Sequence, residues 1–153
     1  MDDVSATVLE QRFHATGREV GNALDPLIVF ARGHPQRLML IAHHLWELVP
    51  TGSSADEAAF VDAREQALAL AEPALRARWE SLSVNEQRVS VALAASARTL
   101  YADETLRFLG LRRGSVGRAL SGLIGKAEAR MTEAGPELTD PLLEHWLAER
   151  GVF

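Results

Sequence analysis

Signals that start and stop helices recur at short intervals along this chain, and they constrain its fold more than any other feature. Ser83 precedes Glu86 by three residues, which is the spacing of a capping box. Asp140 and Pro141 form a typical helix start, with the aspartate as N-cap and the proline at the first helical position. Gly110 follows an apolar run, where glycine commonly ends a helix. The pattern predicts a mainly α-helical protein.

The first half of the chain is predicted to contain four helices. They cover residues 5–20, 24–32, 35–49, and 56 into the seventies. Gly33 is expected to end the second helix and Pro35 to open the third. Ser54 and Glu57 have the spacing of a capping box at the start of the fourth helix. Pro73 is expected either to kink this helix or to divide it.

The second half is predicted to contain a helix-turn-helix, a small β-hairpin wing and a closing helix. One helix starts after Ser83, a short one ends at Gly110, and the next is expected to begin with Ser115 as its N-cap. The segments EARMT and ELT are predicted strands on either side of the turn EAGP, residues 133–136. The inner face of the helix after Ser115 is predicted to carry Val116, Leu120, Leu123 and Ile124.

Charge is distributed unequally between the two halves. Residues 1–75 contain five arginines and lysines against eleven acidic residues, a net charge of −6. Residues 76–153 contain eleven against ten, a net charge of +1. This asymmetry indicates two modules with different surfaces. We therefore predict a helical bundle over residues 1–75 and a winged-helix domain over residues 76–153.

Composition excludes several classes of protein. The chain has no cysteine, which excludes a disulfide framework, a thiolate zinc site and a cysteine nucleophile. Apolar residues make up 47% of the sequence, enough for a packed core. We find no secretory signal and no apolar run long enough to cross a membrane. The sequence therefore predicts a cytoplasmic protein without a membrane partner.

The glycines of the chain do not form a phosphate-binding P-loop. Gly117 and Gly122 have the required spacing, but Leu123 and Ile124 follow where the motif needs lysine and serine or threonine. No apolar strand ending in paired acids is present to hold magnesium. The chain is therefore expected to lack nucleotide hydrolysis and catalysis of its own.

Histidine and serine do not indicate a metal or hydrolytic site either. His43 and His44 are adjacent, so on a helix their side chains point about 100° apart, and no two histidines have the i,i+4 spacing of ligands on one helical face. We expect one ring to face a core edge and the other to face solvent, with ordinary packing or hydrogen-bonding roles and no bound metal. Ser115 follows Gly114 at a helix start, where capping explains it better than nucleophilic catalysis.

Basic residues cluster around the predicted helix-turn-helix. Residues 104–130 contain six basic residues against Glu104 and Glu128. A helix-turn-helix reader places its second helix in the major groove of DNA and contacts phosphate near that helix's N-terminus. The alternative is a solvated face used for contacts within a larger protein. The candidate DNA or partner contacts are Arg112, Arg113, Ser115, Arg118, Lys126 and Arg130.

Two stretches of the sequence resemble parts of one ATPase family. The stretch RGHPQRLMLIAHHLWE, residues 32–47, resembles the GGxP lid segment of AAA+ and related signal-transduction (STAND-like) ATPases, especially the archaeal-type ATPase family. The stretches LSVNEQRVSVALAAS, LGLRRGSVGRALSGLIGKAEA and LTDPLLEHWLAERG resemble the landmarks of the winged helix that follows the lid in that family. They include a closing DP…W motif at Asp140, Pro141 and Trp146.

The resemblance implies a lid over residues 1–75 and a nucleotide-binding core, with Walker motifs, ahead of Met1. ATP or ADP with magnesium would bind to that core. The resemblance also implies that Arg37 is the sensor-2-like arginine that reaches the γ-phosphate, with Arg32 as a rival. Gly33 and Pro35 complete the lid motif.

The expected function is therefore that of a non-catalytic C-terminal regulatory region of an AAA+/STAND-type ATPase. Its lid would contact nucleotide in the parent protein, and its winged helix would bind double-stranded DNA or a protein partner. One alternative is a stand-alone winged-helix transcription regulator that dimerises through residues 1–75. Another is a protein-interaction adaptor that binds neither nucleotide nor DNA.

Overall fold

A computed structural model describes residues 2–95 and 100–150, which are mainly α-helical with one two-stranded antiparallel sheet. This coarse fold class was predicted and is confirmed. The helices are α1 (Asp2–Ala15), α2 (Leu24–Ala31), α3 (Pro35–Leu48), α4 (Glu57–Glu80), α5 (Val84–Ala95), α6 (Asp103–Leu109), α7 (Arg113–Gly125) and α8 (Pro141–Arg150). The strands are β1 (Ala129–Thr132) and β2 (Gly135–Leu138).

The chain divides into two compact units, one ending at Glu72 and the other beginning at Pro73. In the first unit, apolar residues at helical spacing put one face of each helix into a core. Each large side chain buried there contributes about 1.5–3 kcal/mol relative to exposure. The largest contributors are Leu9, Phe13, Leu27, Ile41, Leu45 and Phe60.

Helix α1 ends five residues earlier than the sequence predicted. Its last residue is Ala15, and Gly17 takes a left-handed conformation with φ 74° that turns the chain away from the helix axis. Glu19 then forms an isolated parallel bridge with Ser54. The predicted continuation to residue 20 is wrong because this segment takes its hydrogen bonds from the loop before α4. That pairing joins residues far apart in sequence.

The start of α4 also differs from the prediction. The Oδ1 atom of Asp56 accepts a hydrogen bond from the backbone N–H of Ala59 at 2.8 Å, so Asp56 is the side chain that caps the helix. The predicted capping box of Ser54 and Glu57 is therefore wrong. Helix α4 runs from Glu57 to Glu80 with Pro73 inside it, so this proline does not divide it.

In the second unit, α5 packs against α6, α7, α8 and β2. The hairpin pairs Ala129 with Leu138 at its base and Thr132 with Gly135 at its tip. Ala129 and Leu138 point into the core, because side chains on one face of a strand alternate with those on the other. The largest side chains that are fully buried in this core are Leu75, Val89, Leu100, Leu123, Leu138, Leu142, Leu143 and Leu147, and Trp146 is 4% exposed.

Two predicted caps in the second unit are confirmed. The hydroxyl of Ser83 accepts from the N–H of Glu86 at 3.1 Å, and Glu86 Oε1 accepts from the N–H of Ser83 at 2.9 Å, which is a complete capping box. Asp140 Oδ1 accepts from the N–H of Leu142 at 2.9 Å and caps α8. The predicted end of α6 is also confirmed, since Gly110 takes the left-handed conformation at φ 68°.

Two details of α7 were predicted wrongly. The helix begins at Arg113, and Arg112 occupies the N-cap position without a side-chain capping bond, so Ser115 lies inside the first turn. Ile124 is 39% exposed, whereas Ala119 is buried with the other inner residues of the helix. Ile124 follows the buried Leu123 directly, and one residue of an α-helix turns the side chain by about 100°.

In the part of the chain that the structure describes, no helix combines the length and the apolar character needed to span a membrane.

Candidate functional site

An exposed cationic surface of the second unit lies at the start of α7. We call the side chains of Arg112, Arg113 and Arg118 the α7 arginine face. Gly110 caps the end of α6, and Arg112 is extended at φ −88° and ψ 158°, so the chain enters α7 after a three-residue connection, Gly110, Leu111 and Arg112. This tight turn brings two arginines to the first turn of the helix, and all three side chains are exposed.

The guanidinium groups of this face are loosely held. Arg113 Nη2 lies 3.8 Å from Asp103 Oδ1, and both side chains are strongly exposed, at 65% and 86%. Arg118 Nη2 lies 3.4 Å from Ser115 Oγ, a long contact. Exposed ion pairs of this kind contribute about 0–1 kcal/mol, so an incoming anion displaces them at little cost.

The N-terminus of α7 adds to the positive potential of its arginines. The first helical bond of α7 runs from the N–H of Val116 to the carbonyl of Arg112 at 3.0 Å. The amides before it point along the helix axis toward solvent, and Arg112 provides no side-chain cap for them. A helix N-terminus carries roughly half a positive charge, which favours phosphate or carboxylate.

A surface depression of about 550 Å³ adjoins the face, at the junction of α6 and α7. Two guanidinium groups and one carboxylate are among its lining groups, so it offers donors for an anion beside one competing acid. The lining residues are Asp103, Leu106, Arg107, Gly110, Leu111 and Arg112.

The structure places Lys126 and Arg130, two other predicted contacts, in ion pairs. Lys126 Nζ lies 2.6 Å from Glu86 Oε1, and this hydrogen bond lowers the pKa of the Glu86 carboxyl. Arg130 Nη2 lies 2.7 Å from Glu137 Oε1 across the hairpin. Their charges are thus compensated by short ion pairs, whereas the ion pair of Arg113 with Asp103 is long and both of its side chains are exposed.

Sequence reasoning missed the reason for Gly122 in the middle of α7. A Cβ atom at this position would overlap Glu86 Oε2 and would lie 3.3 Å from Glu86 Cδ. Glu86 is buried, with 7% of its surface exposed. The glycine therefore lets α7 approach the carboxylate that caps α5 and binds Lys126. No local sequence pattern reports this close approach.

Sequence reasoning also missed Arg78. Its Nε and Nη2 atoms donate to Glu128 at 3.0 and 2.5 Å, and Nη1 donates to Asp140 Oδ2 at 2.7 Å. The hydrogen bonds to Glu128, followed by those to Asp140, raise the pKa of the arginine further above its ordinary value, against the effect of burial. One guanidinium thus holds the residue before β1 and the N-cap of α8. The partners lie 50 and 62 residues along the chain, beyond any local motif.

The predicted lid residues meet in the turn between α2 and α3. Arg32 and Gly33 both take left-handed conformations, with φ 47° and 73°, and reverse the chain. Pro35 is the first residue of α3, as predicted. The ring of His34 caps this helix, because its Nδ1 accepts from the N–H of Arg37 at 3.2 Å. Histidine is a rare capping residue, which is why the sequence did not reveal it.

The two adjacent histidines of α3 face different surroundings, as predicted. His43 is exposed and lies 3.2 Å from Glu47 one turn further along the helix. His44 is half-buried, and its Nε2 is buried without a hydrogen-bond partner among the described residues. The two rings meet edge-on with centroids 5.8 Å apart.

Comparison of the chain with protein-family models, with curated proteins and with solved structures gave no match in any of the three.

Proposed function

We propose that the unit from Pro73 is a winged helix that binds duplex DNA through the α7 arginine face, and that the chain is a non-catalytic regulatory region. The order of elements supports this proposal. Three helices, α5, α6 and α7, precede the β1–β2 hairpin, and α8 follows it. In a winged helix of this order, the third helix is the one that meets DNA.

The observation that carries the proposal is the exposure of the arginines in the α7 arginine face. Arg112, Arg113 and Arg118 are exposed, the contacts of Arg113 and Arg118 are long, and no side chain caps the first amides of α7 at Arg112. The backbone of DNA is a dense line of negative charge, and arginines that neutralise phosphates release the condensed counterions. A surface of this kind favours phosphate contacts and supports a nucleic-acid role within an otherwise acidic chain.

The test is a titration of the chain against a labelled duplex by fluorescence anisotropy at two salt concentrations. Each phosphate contact contributes about 0.9 to the slope of log affinity against log salt. Three contacts therefore predict a loss of about 40-fold between 50 and 200 mM salt. The variant Arg112→Ala, Arg113→Ala, Arg118→Ala is expected to lose this binding.

A matched control separates a local contact from an effect of net charge. Gln11→Glu, Arg12→Ala and Gln66→Glu change the charge by the same three units at exposed positions of the first unit. The proposal expects this control to bind DNA nearly as well as the wild type. Equal loss in both variants, or no binding at low salt, counts against DNA and favours a protein partner for this face.

A second candidate function concerns the first unit, which we propose to be the lid of an AAA+/STAND-type ATPase. The observation that favours it is the turn between α2 and α3. There, Arg32 and Gly33 reverse the chain, and the cap formed by His34 fixes the backbone of Arg37 in the first turn of α3. An arginine at this position meets the phosphates of a nucleotide bound to a separate core, and it biases the lid between two arrangements.

The lid proposal is tested with the chain and MgATP by following backbone amide shifts in NMR. We expect weak, saturable changes at Arg32, Gly33, His34 and Arg37 at millimolar ATP, because the core that supplies most phosphate contacts is not in the chain. Arg37→Ala should reduce these changes, and Arg12→Ala should not. Changes that do not saturate, or that spread over the whole chain, count against a nucleotide contact at this turn.

A further inference from the structure

The side of α7 that faces away from the core offers few groups that can read bases. Gly114, Arg118, Ser121, Ile124 and Gly125 are exposed there. A Cβ atom at Gly125 would meet nothing within 4 Å, and one at Gly114 would have Arg118 Nη1 as its nearest neighbour at 4.0 Å. The two glycines therefore leave open gaps where a reader helix carries side chains into the groove.

Base recognition depends on paired donors and acceptors held in a fixed geometry. No asparagine or glutamine, the side chains that read adenine, occurs in residues 104–130. Arginine reads guanine when its fork is held in place, but the contact of Arg118 Nη2 with Ser115 Oγ is long, at 3.4 Å. A guanidinium that no short hydrogen bond fixes in place suits contact with phosphates, which are present at every step of every sequence.

The hairpin does not add positive charge to this surface. Residues 129–138 contain Arg130, Glu133 and Glu137, a net charge of −1. Both Nε and Nη2 of Arg130 lie close to Glu137 Oε1, at 2.8 and 2.7 Å. Glu133 is exposed near the tip. A hairpin with this charge is repelled by the DNA backbone rather than drawn into a groove.

We infer that the second unit binds duplex DNA of any sequence, through phosphates contacted by the α7 arginine face and without help from the hairpin. The inference rests on the proposed function and names its substrate class. It assigns the chain a role in holding or scanning DNA rather than in reading one operator. It also assigns Arg130 to the hairpin's own stability rather than to the ligand.

The experiment compares three labelled 20-base-pair duplexes of unrelated sequence, one A·T-rich, one G·C-rich and one mixed. The proteins are the wild type, the triple arginine variant and the double variant Arg130→Gln, Glu137→Gln. The double variant removes the ion pair but keeps the hairpin at −1, because one positive and one negative charge disappear together. Circular dichroism establishes that each variant is folded before titration.

We expect wild-type affinities for the three duplexes to agree within about threefold, whereas one good base contact is worth about tenfold. The double variant should bind within about twofold of the wild type and with the same salt slope. A preference above about tenfold for one duplex, or a reduced salt slope in the double variant, overturns the inference but leaves DNA binding intact. No binding by the wild type at low salt overturns the proposed function, and the inference with it.

Discussion

Replacing Gly122 with alanine should destabilise the second unit, although alanine is the better helix former. In an open helix, Gly→Ala is worth about 1 kcal/mol in favour of the helix. At Gly122, the new methyl group displaces Glu86 Oε2. Glu86 cannot rotate away freely, because Oε1 accepts from the N–H of Ser83 at 2.9 Å and from Lys126 at 2.6 Å.

The cost of moving Glu86 follows from these bonds. Losing the reciprocal cap costs about 1 kcal/mol, and losing a hydrogen bond to a charged partner costs about 1.5–3 kcal/mol. Set against the gain of about 1 kcal/mol in helix propensity, Gly122→Ala should lower the free energy of unfolding by about 1.5–3 kcal/mol. In a Glu86→Ala background the same substitution should raise it by about 1 kcal/mol, because the obstructing carboxylate is gone. The effect of Gly122→Ala on the free energy of unfolding should therefore have opposite signs in the two backgrounds.

Urea unfolding followed by tryptophan fluorescence measures this effect. A Trp46→Phe background confines the signal to Trp79 and Trp146, which both belong to the second unit. Gly117→Ala is the matched control in the same helix, since its Cβ would meet Tyr101 Oη at an ordinary 3.8 Å. The control should be stabilising in both backgrounds. If Gly122→Ala stabilises the wild type as much as Gly117→Ala does, the carboxylate moves freely and the reasoning is refuted.

Three further predictions concern the stability of the second unit. Lys126 lowers the pKa of the Glu86 carboxyl below its ordinary 4.5, so the ionised carboxyl stabilises the second unit above pH 4.5. This stabilisation is lost as the pH falls through the lowered pKa of Glu86. The difference in urea midpoint between wild type and Glu86→Gln should therefore shrink in acid, and a constant difference would contradict the assignment. Arg78→Ala should cost about 3 kcal/mol, since it removes the ion pair between Arg78 and the buried carboxylate of Asp140; a thermal scan showing a loss under 1 kcal/mol would argue against this role. Ala127→Gly should stabilise by about 1 kcal/mol in the same assay, because Ala127 holds a left-handed conformation at φ 60°, and an unchanged melting temperature would refute it.

The parts of the fold that sequence predicted depend on contacts between near neighbours. The capping box of Ser83 and Glu86 spans three residues, and the cap of α8 by Asp140 spans two. Both are readable because the same few atoms always meet at a helix start. The wrong prediction for the end of α1 has the opposite origin. Residues after Ala15 looked helical until their partner, the loop around Ser54, was known.

At the candidate site, too, local features were predicted from the sequence and contacts between distant residues were not. The end of α6 at Gly110 and the cluster of basic residues around α7 were predicted from the sequence, although α7 begins three residues earlier than expected. The sequence could not show which of the basic side chains form short ion pairs in the folded protein. Lys126 and Arg130 are paired by partners 40 and 7 residues away, and only the folded chain separates them from the α7 arginine face. Ion pairing across a fold leaves no periodic signal in sequence.

Arg78 bonds to residues at both ends of the hairpin segment, so the hairpin can be altered without changing the rest of the unit. Glu128 and Asp140, the residues just outside the two strands, are fastened by one side chain, so the base is held whatever lies between. Lengthening a flexible loop whose ends are already fixed costs only about 0.6 kcal/mol for each doubling of its length. Residues 133 and 134 at the tip are thus a natural place to graft a peptide or an additional strand pair. A long insertion there would leave the core unchanged, and an engineered tip could be exchanged without redesigning the unit.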